Sequence, residues 1–328
     1  MKKARPIKIR KGPYLIFGGT GSLARTLVER ILSAGEEVAV FARDEAKHHA
    51  LLQAHPKVHA IIGDIRDYRA VLRALNTVMP STVVNAAAMK QIPFCELYPY
   101  EATLTNVIGA QHVVDALHEH VPRRRRGSSL HALFISTDKA CKPVNSYGMT
   151  KALGERIHLN GNTGGGVVHT VVRYGNVLES TGSVIPVFRE RIRKGLPLCV
   201  THKDMTRFLM SLDQAVDLIM AALADTAGGN IYVPVLPSAR IMDLARCLIA
   251  ASGKKLKIEQ AGIRPGEKLH ELLISEDEGA RTEEKNGMFI IHPAVRKNRA
   301  ARPKEYSSAE HLMTPPELEK FLRSHNVI

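Results

Sequence analysis

Thr137, Asp138 and Lys139 follow an apolar strand-like run, Ala132 to Ile135, and Tyr147 and Lys151 come just beyond a proline-bearing loop. A hydroxyl, a carboxyl, an amine, a phenol and a second amine are thereby gathered at one strand end and on the segment that follows, GMTKALGERIH, whose pattern predicts a helix. Residues four apart share a helix face, so the Lys151 ammonium is expected beside the Tyr147 hydroxyl. A free tyrosine titrates near about pH 10 and a fixed cation favours its phenolate, which makes Tyr147 a usable base near neutral pH. A surface tyrosine and lysine at helical spacing would have the same pattern, and Asp138-Lys139 alone could be an ion pair closing a loop. The elements before them in the chain give these residues their meaning.

Tyr14 to Phe17 is apolar and runs into Gly18-Gly19-Thr20-Gly21-Ser22-Leu23-Ala24 and then a helical pattern to Ala34. A strand, a glycine turn and a helix start, in that order, let backbone N–H groups and the helix dipole meet a pyrophosphate. The strand Glu37 to Ala42 ends in Arg43-Asp44. Arg43, helped by Lys47, suits the extra phosphate of NADP; NAD, whose ribose hydroxyls a carboxylate such as Asp44 would bind, is the alternative. Asp44 could equally cap the next helix. The strand Val58 to Ile62 closes on Gly63-Asp64-Ile65, where Asp64 and Ile65 are expected at the adenine, although Asp after Gly is also ordinary turn chemistry. Thr82 to Ala86 leads into Ala86, Ala87, Ala88, Met89 and Lys90, small residues that let a ribose approach the backbone.

Strands separated by helical segments at this spacing predict an α/β fold: a Rossmann-type doubly wound parallel sheet, with ligands beyond the carboxyl ends of the strands. The expected division is a basic arm over 1–12, an NADP-binding domain over 13–174, and a smaller substrate-binding lobe with the C-terminal tail over 175–328, from which some segments could return to the first domain. A helix is expected from about Tyr100 to His120, and another from Met210 to Ala224. The 328 residues, 45% apolar, can bury a large core. No apolar run approaches the roughly 20 residues of a membrane span and no secretory leader is visible, so a cytoplasmic protein is expected. Cys95, Cys141, Cys199 and Cys247 form no CxxC pair and the histidines no HExxH, which predicts free thiols and no metal. The net charge of +14 is concentrated in the N-terminal arm, in Arg123 to Arg126 and in the segment RKNRAARPK, read as solvated stretches that suit a small anion better than nucleic acid.

GGTGSLA, AAAMKQIP, LTNVIGAQHVVDA, STDKACKPVNSYGMTK, RYGNVLESTGSVIPVF, DMTRF and IRPGEKLHE, in this order, resemble the extended short-chain dehydrogenase/reductases. More narrowly they resemble the UDP-N-acetylglucosamine 4,6-dehydratases of bacterial sugar biosynthesis, over roughly Tyr14 to Glu278. Ala24 stands where a third glycine is usual, and Tyr147 where large membrane-bound relatives tend to carry Met, which resembles the short branch, many of whose members invert C5. The resemblance implies that Tyr147, supported by Lys151, takes the proton of the sugar 4-hydroxyl while hydride leaves C4 for NADP, and that Thr137 holds that hydroxyl. Lys139, which must be neutral and hence have a lowered pKa, takes the C5 proton. Asp138, which must be protonated, gives its proton to the departing 6-hydroxyl, and hydride returns to C6. It also implies Asn176, Arg207 and Arg264 near the diphosphate of a UDP-amino sugar, Glu267 on the uridine ribose, Lys90 at the sugar or pyrophosphate, and a homo-oligomer. A C5-retaining dehydratase, a nucleotide-sugar 4-epimerase and an NADP-binding scaffold with a basic partner surface are the alternatives.

Overall fold

The computed structural model describes residues 9–121, 129–178, 183–294 and 305–328. The arginines at 123–126, the tail segment 296–304 and most of the basic arm lie outside these. In chain order the first half reads β1 (Tyr14–Phe17), α1 (Ser22–Ser33), β2 (Val38–Ala42), α2 (Glu45–Ala54), β3 (His59–Ile62), α3 (Tyr68–Val78), β4 (Thr82–Asn85), α4 (Ile92–Leu97), α5 (Pro99–Thr103), α6 (Gly109–His120), β5 (Leu130–Ile135), α7 (Ser146–Asn160) and β6 (Val167–Val172). The second half reads β7 (Asn176–Val177), α8 (Val184–Arg193), β8 (Leu198–Val200), β9 (Thr206–Met210), α9 (Leu212–Leu223), β10 (Ile231–Pro234), β11 (Ser238–Arg240), α10 (Ile241–Ala251), β12 (Ile258–Gln260), β13 (Leu272–Ile274), α11 (Glu276–Gly279), β14 (Thr282–Lys285), β15 (Met288–Ile291), β16 (Tyr306–Ser307) and α12 (Pro315–Ser324).

The main sheet has the order β3-β2-β1-β4-β5-β6-β10-β15-β14, parallel from β3 to β10 and antiparallel at the last two pairs. Strand order reverses between β1 and β4, which opens a crevice beyond their carboxyl ends. Alternation along the strands feeds two cores. Tyr14, Ile16, Val40 and Val84 face one way with residues of α1 and α9, while Leu15, Phe17, Phe41 and Val83 face the other with residues of α3 and α6. Because both faces are covered, these strands read as unbroken apolar runs.

Beyond residue 174 the chain divides its work. β10, β14 and β15 return to the main sheet, so the C-terminal lobe is discontinuous: a three-stranded sheet β11-β9-β7, the pairs β12-β8 and β13-β16, and a separate core with Phe188, Leu198, Leu209, Leu244, Leu248, Leu318 and Leu322. The expected helix over 100–120 is three pieces, with a π-helical turn at Leu104–Ile108 between α5 and α6. Met210 ends β9 instead of opening a helix; Ser211, in a capping box with Gln214, starts α9. Among the described residues no helix is long and apolar enough to cross a membrane.

Candidate active site

The glycine turn is built for close approach. Gly18 has φ +75°, and a Cβ there would lie 2.6 Å from the Ala87 backbone, so the turn after β1 rests directly on the Ala86-Ala87 segment after β4. Gly21 caps α1 with no side-chain hydrogen bond, and no acid stands in the first turn. The N–H groups of this turn, and the open space beside Gly21, where a Cβ would meet nothing nearer than 4.0 Å, suit the pyrophosphate of a dinucleotide. Thr20 is buried beside them, Ser22 opens the helix, and the Leu23 side chain packs against the core.

Several residues expected around the adenosine have other partners. Asp44 accepts from the Lys47 backbone at 3.0 Å as the N-cap of α2 and pairs with Lys47 Nζ at 2.7 Å, so both are engaged with each other. Asp64, expected at the adenine amine, is gripped by Arg66 through Nε at 2.9 Å and Nη2 at 2.7 Å, with Arg43 Nη1 3.6 Å away. Ile65 is 5% exposed and packs against Gly109, which leaves its side chain in the core. Arg43 itself extends from the end of β2, its side chain 60% exposed, with Asp64 as a partner at 3.6 Å.

At the carboxyl end of β5 the chain turns through a short 3₁₀ segment, Asp138–Ala140. Ser136 N and Asp138 N donate to Val172 O and Tyr174 O, fixing the turn to the strand end of β6. Beneath it Ser136 Oγ donates to Glu155, which Arg173 grips through Nε and Nη2 while holding Glu278 with its other donors. Thr137 Oγ1 donates to Asp138 Oδ1 at 2.9 Å, and Lys139 Nζ reaches the same oxygen at 3.0 Å. α7 descends onto this turn because Gly148 has no side chain: a Cβ there would run into the Lys139 carbonyl. Asn145 caps α7 by accepting from Gly148 N at 2.7 Å and donates to Gly266 O at 2.7 Å, tying the 264–267 loop to the same helix start.

The electrostatics depart from the expectation at two places. The Lys151 Nζ lies over the Phe134 ring, 3.8 Å from the centroid. Burial lowers its pKa to about 7, opposed by Glu155 one turn further on. Tyr147 is pushed up to about 12 by burial, and the cation that opposes this is Lys139, with the Thr137 hydroxyl alongside. Lys139 is likewise not the depressed amine expected. Burial would lower it, but the Asp138 and Glu271 carboxylates outweigh burial and hold the ammonium. Asp138 is fully buried and its pKa is raised, first by burial and then by Glu271 against the pull of Lys139; its Oδ2 has no hydrogen-bond partner.

Across the crevice the expected anion contacts separate. Arg207, on β9, is not an available clamp: Nη1 donates to the carbonyls of Thr206 and Leu269, Nη2 to that of Lys268, and Glu267 and Glu271 lie at 3.8 and 3.7 Å. Its planar fork is filled by the loop it supports. Asn176 on β7 keeps a buried Oδ1 without a hydrogen-bond partner, Arg264 and Lys90 are exposed, and Glu267 Oε2 accepts from Arg264 N at 3.3 Å. The motif reading missed Glu271, 2% exposed and 3.5 Å from Lys139 Nζ, and the Glu155–Arg173–Glu278 network. It also missed how Asn106, turned inward by the π-helical turn, bonds Met89 N and O and Thr150 Oγ1. Glu271 closes the block IRPGEKLHE, whose resemblance was its signal. The four cysteines are free, and among the described residues no cluster of three or more metal-ligating side chains occurs.

The reversed strand order, the glycine turn, the Thr137-Asp138-Lys139 turn and the Tyr147-Lys151 pair together define an extended short-chain dehydrogenase/reductase. The chain belongs to the polysaccharide biosynthesis protein family, whose model matches residues 14–293. It is 38% identical to a UDP-glucose 4-epimerase of Rickettsia akari, over 84% of this chain and 82% of that one. It is 37% identical to an inverting UDP-N-acetylglucosamine 4,6-dehydratase of Campylobacter jejuni, over 87% and 84%. The solved structure of Pen from Bacillus thuringiensis superposes with a TM-score of 0.87 at 32% identity, covering 96% of this chain and 99% of that one.

Proposed function

We propose that this protein is a nucleotide-sugar 4,6-dehydratase that converts UDP-N-acetylglucosamine to a 4-keto-6-deoxy sugar nucleotide, with bound NADP and inversion at C5. The observation that carries this reading is the buried Asp138–Lys139 pair, 3.0 Å apart beside Thr137, since a 4-epimerase needs Tyr147 and Lys151 but neither of these two. The relative in Campylobacter jejuni, named as an inverting dehydratase, supports it. A nicotinamide dinucleotide, held by Gly18, Thr20, Gly21, Ser22, Ala86, Ala87 and Lys151 with Arg43 at the 2′-phosphate, supplies a hydride acceptor at C4 and a donor at C6 of the sugar.

The protein's own residues manage the protons. Tyr147 accepts the 4-hydroxyl proton as its phenolate, a form that burial disfavours in the free protein and that the positive nicotinamide ring would favour when bound, and Thr137 orients that hydroxyl. Transfer of the Lys139 proton to Asp138 Oδ1, across 3.0 Å, makes a neutral amine and a protonated acid in one step. Lys139 then takes the C5 proton and Asp138 gives its own to the departing 6-hydroxyl, which leaves as water. Lys139 returns its proton to C5 after the flattened 4-keto-5,6-ene has turned its other face to the amine, which gives inversion. The proton that Tyr147 took reaches Asp138 through Thr137 Oγ1, 2.9 Å away, and the cycle closes. Asn176, Arg264, Glu267 and Lys90 border the substrate.

Incubation with UDP-N-acetylglucosamine and no added reductant tests the reading. Proton NMR is expected to report a 4-keto-6-deoxy product with inverted C5; a C4 epimer, or no turnover by the dinucleotide-loaded protein, rejects it. Lys139→Ala is expected to abolish deuterium entry at C5 while the dinucleotide stays bound, and exchange at the wild-type rate would remove Lys139 as the base.

A further inference from the structure

Glu271 has no part in the scheme above, yet it is the second carboxylate against Lys139. Its Oε1 lies 3.5 Å from Lys139 Nζ and 3.7 Å from Arg207 Nε. Its Oε2 is buried without a hydrogen-bond partner, with Lys268 Nζ 3.8 Å away. The backbone is fixed from behind: Glu271 N donates to Ser308 Oγ at 2.9 Å and Ser308 N donates to Glu271 O at 2.8 Å. A buried carboxylate clamped by a neighbouring strand and left with one oxygen unbonded is costly to keep for packing alone.

We propose that Glu271 is a positioning residue for Lys139, aiming the amine into the crevice and stabilising the ammonium that forms when Lys139 accepts the C5 proton. The inference rests on the dehydratase reading. It follows the general pattern in which a base is itself oriented by a third group. Before the C5 proton moves, Lys139 is neutral and Asp138 protonated. Afterwards the C5–H bond is broken, Lys139 carries the proton, and Asp138 becomes anionic as the 6-hydroxyl departs. Glu271 gains most at that moment, because Asp138 still holds its proton when the ammonium first appears. The charged and titratable groups that face Lys139 are Asp138 from its own turn, Arg207 from β9, Lys268 and Glu271 from the segment before β13 and Tyr147 from α7; Glu271 faces Lys139, Asp138, Arg207 and Lys268.

Glu271→Gln in the dinucleotide-loaded protein tests this. Turnover and C5 deuterium exchange are expected to fall roughly tenfold to a hundredfold, less than for loss of the base itself. The acidic limb of the pH–rate profile, where the Lys139–Asp138 pair must lose its second proton, is expected to move to lower pH because the pair has lost a neighbouring negative charge. Glu271→Asp keeps the charge but withdraws it by one methylene, and should fall between the wild type and the Gln variant in both measures. It also carries the test if the Gln variant does not fold. Unchanged rates, or slower rates with an unmoved limb, would overturn the proposal, the latter marking a merely structural carboxylate. NMR titration of isotope-labelled Lys139 reads the same coupling without substrate. If the wild type does not dehydrate UDP-N-acetylglucosamine but Glu271→Gln still lowers the Lys139 titration, the functional reading fails and the coupling stands. An unmoved Lys139 titration overturns the coupling.

Discussion

Arg207 and Arg264 show how the same residue type divides into two roles within one site. Arg207 has carbonyls or carboxylates facing every donor of its guanidinium, whereas Arg264 projects into solvent from the loop that Arg207 braces. Arg207→Ala would leave buried carbonyls and Glu271 short of partners, and should lower stability by about 3–5 kcal/mol in urea titration. Arg264→Ala should leave the urea midpoint unchanged and raise KM for the sugar nucleotide, as steady-state kinetics would report. Arg43→Ala should weaken NADP more than NAD in direct binding titrations, because only the former offers a phosphate to that strand end; equal losses would assign Arg43 to the surface alone. Residue types and order were enough to find Thr137, Asp138, Lys139 and Tyr147. Their charge states were not legible, because those depend on Glu271, more than a hundred residues away in the chain, and on which way Lys151 bends from the face it shares with Tyr147.

The elements that carry these residues were readable where burial imposes a pattern and unreadable where a local exception serves the site. β1, β2, β4 and β5 fall where apolar runs end in glycine or polar residues, since a strand covered on both faces has few other compositions open to it. The π-helical turn at Leu104–Ile108 leaves no such trace, because inserting one residue into a helix does not change which residues are apolar. The contact between α7 and the turn after β5 is likewise made by an absence, the missing side chain of Gly148. Gly148→Ala should push α7 away from Lys139 and cost about 1–3 kcal/mol of stability, the usual range for overpacking. Turnover should fall by more than that destabilisation can explain at temperatures where the protein stays folded. Kinetics and thermal unfolding measured on one preparation separate the two effects, and full activity in a stable variant would mean that the turn tolerates the shift.

Across the whole molecule, the sheet binds the two parts of the chain together; a return of some C-terminal segments to it was expected, but which ones, β10, β14 and β15, could not be read from a sequence whose lobe and sheet segments alternate. One consequence of this large buried sheet is a pH dependence of stability set by histidines instead of by the active site. His158 stacks on Phe134 with centroids 4.7 Å apart, receives the Asn85 amide at 3.2 Å and lies edge-on to His169, which stacks in turn on His118. Both His158 and His169 are 0% exposed, and both rings of the pair contain nitrogens with no hydrogen-bond partner. Burial holds His158 well below the ordinary histidine range and lowers His169 to about 3, with neighbouring charges adding to the effect. In the unfolded chain both titrate near about 6.5. The folded state therefore binds fewer protons below that pH, and its stability is fully present above about 6.5 and lost as pH falls toward the folded-state values. With these two rings and the buried His131, which is lowered to about 4, the loss should approach about 4 kcal/mol per pH unit once the unfolded histidines are protonated and before the carboxylates titrate. Lys151, lowered to about 7, contributes its own slope only at higher pH, between that value and the ordinary lysine range. Urea denaturation between about pH 6 and 4.5 should show the steep fall, and His169→Gln should remove roughly a third of the slope whatever it does to absolute stability. A wild-type slope near zero in that window would mean that protons reach these rings in the folded protein.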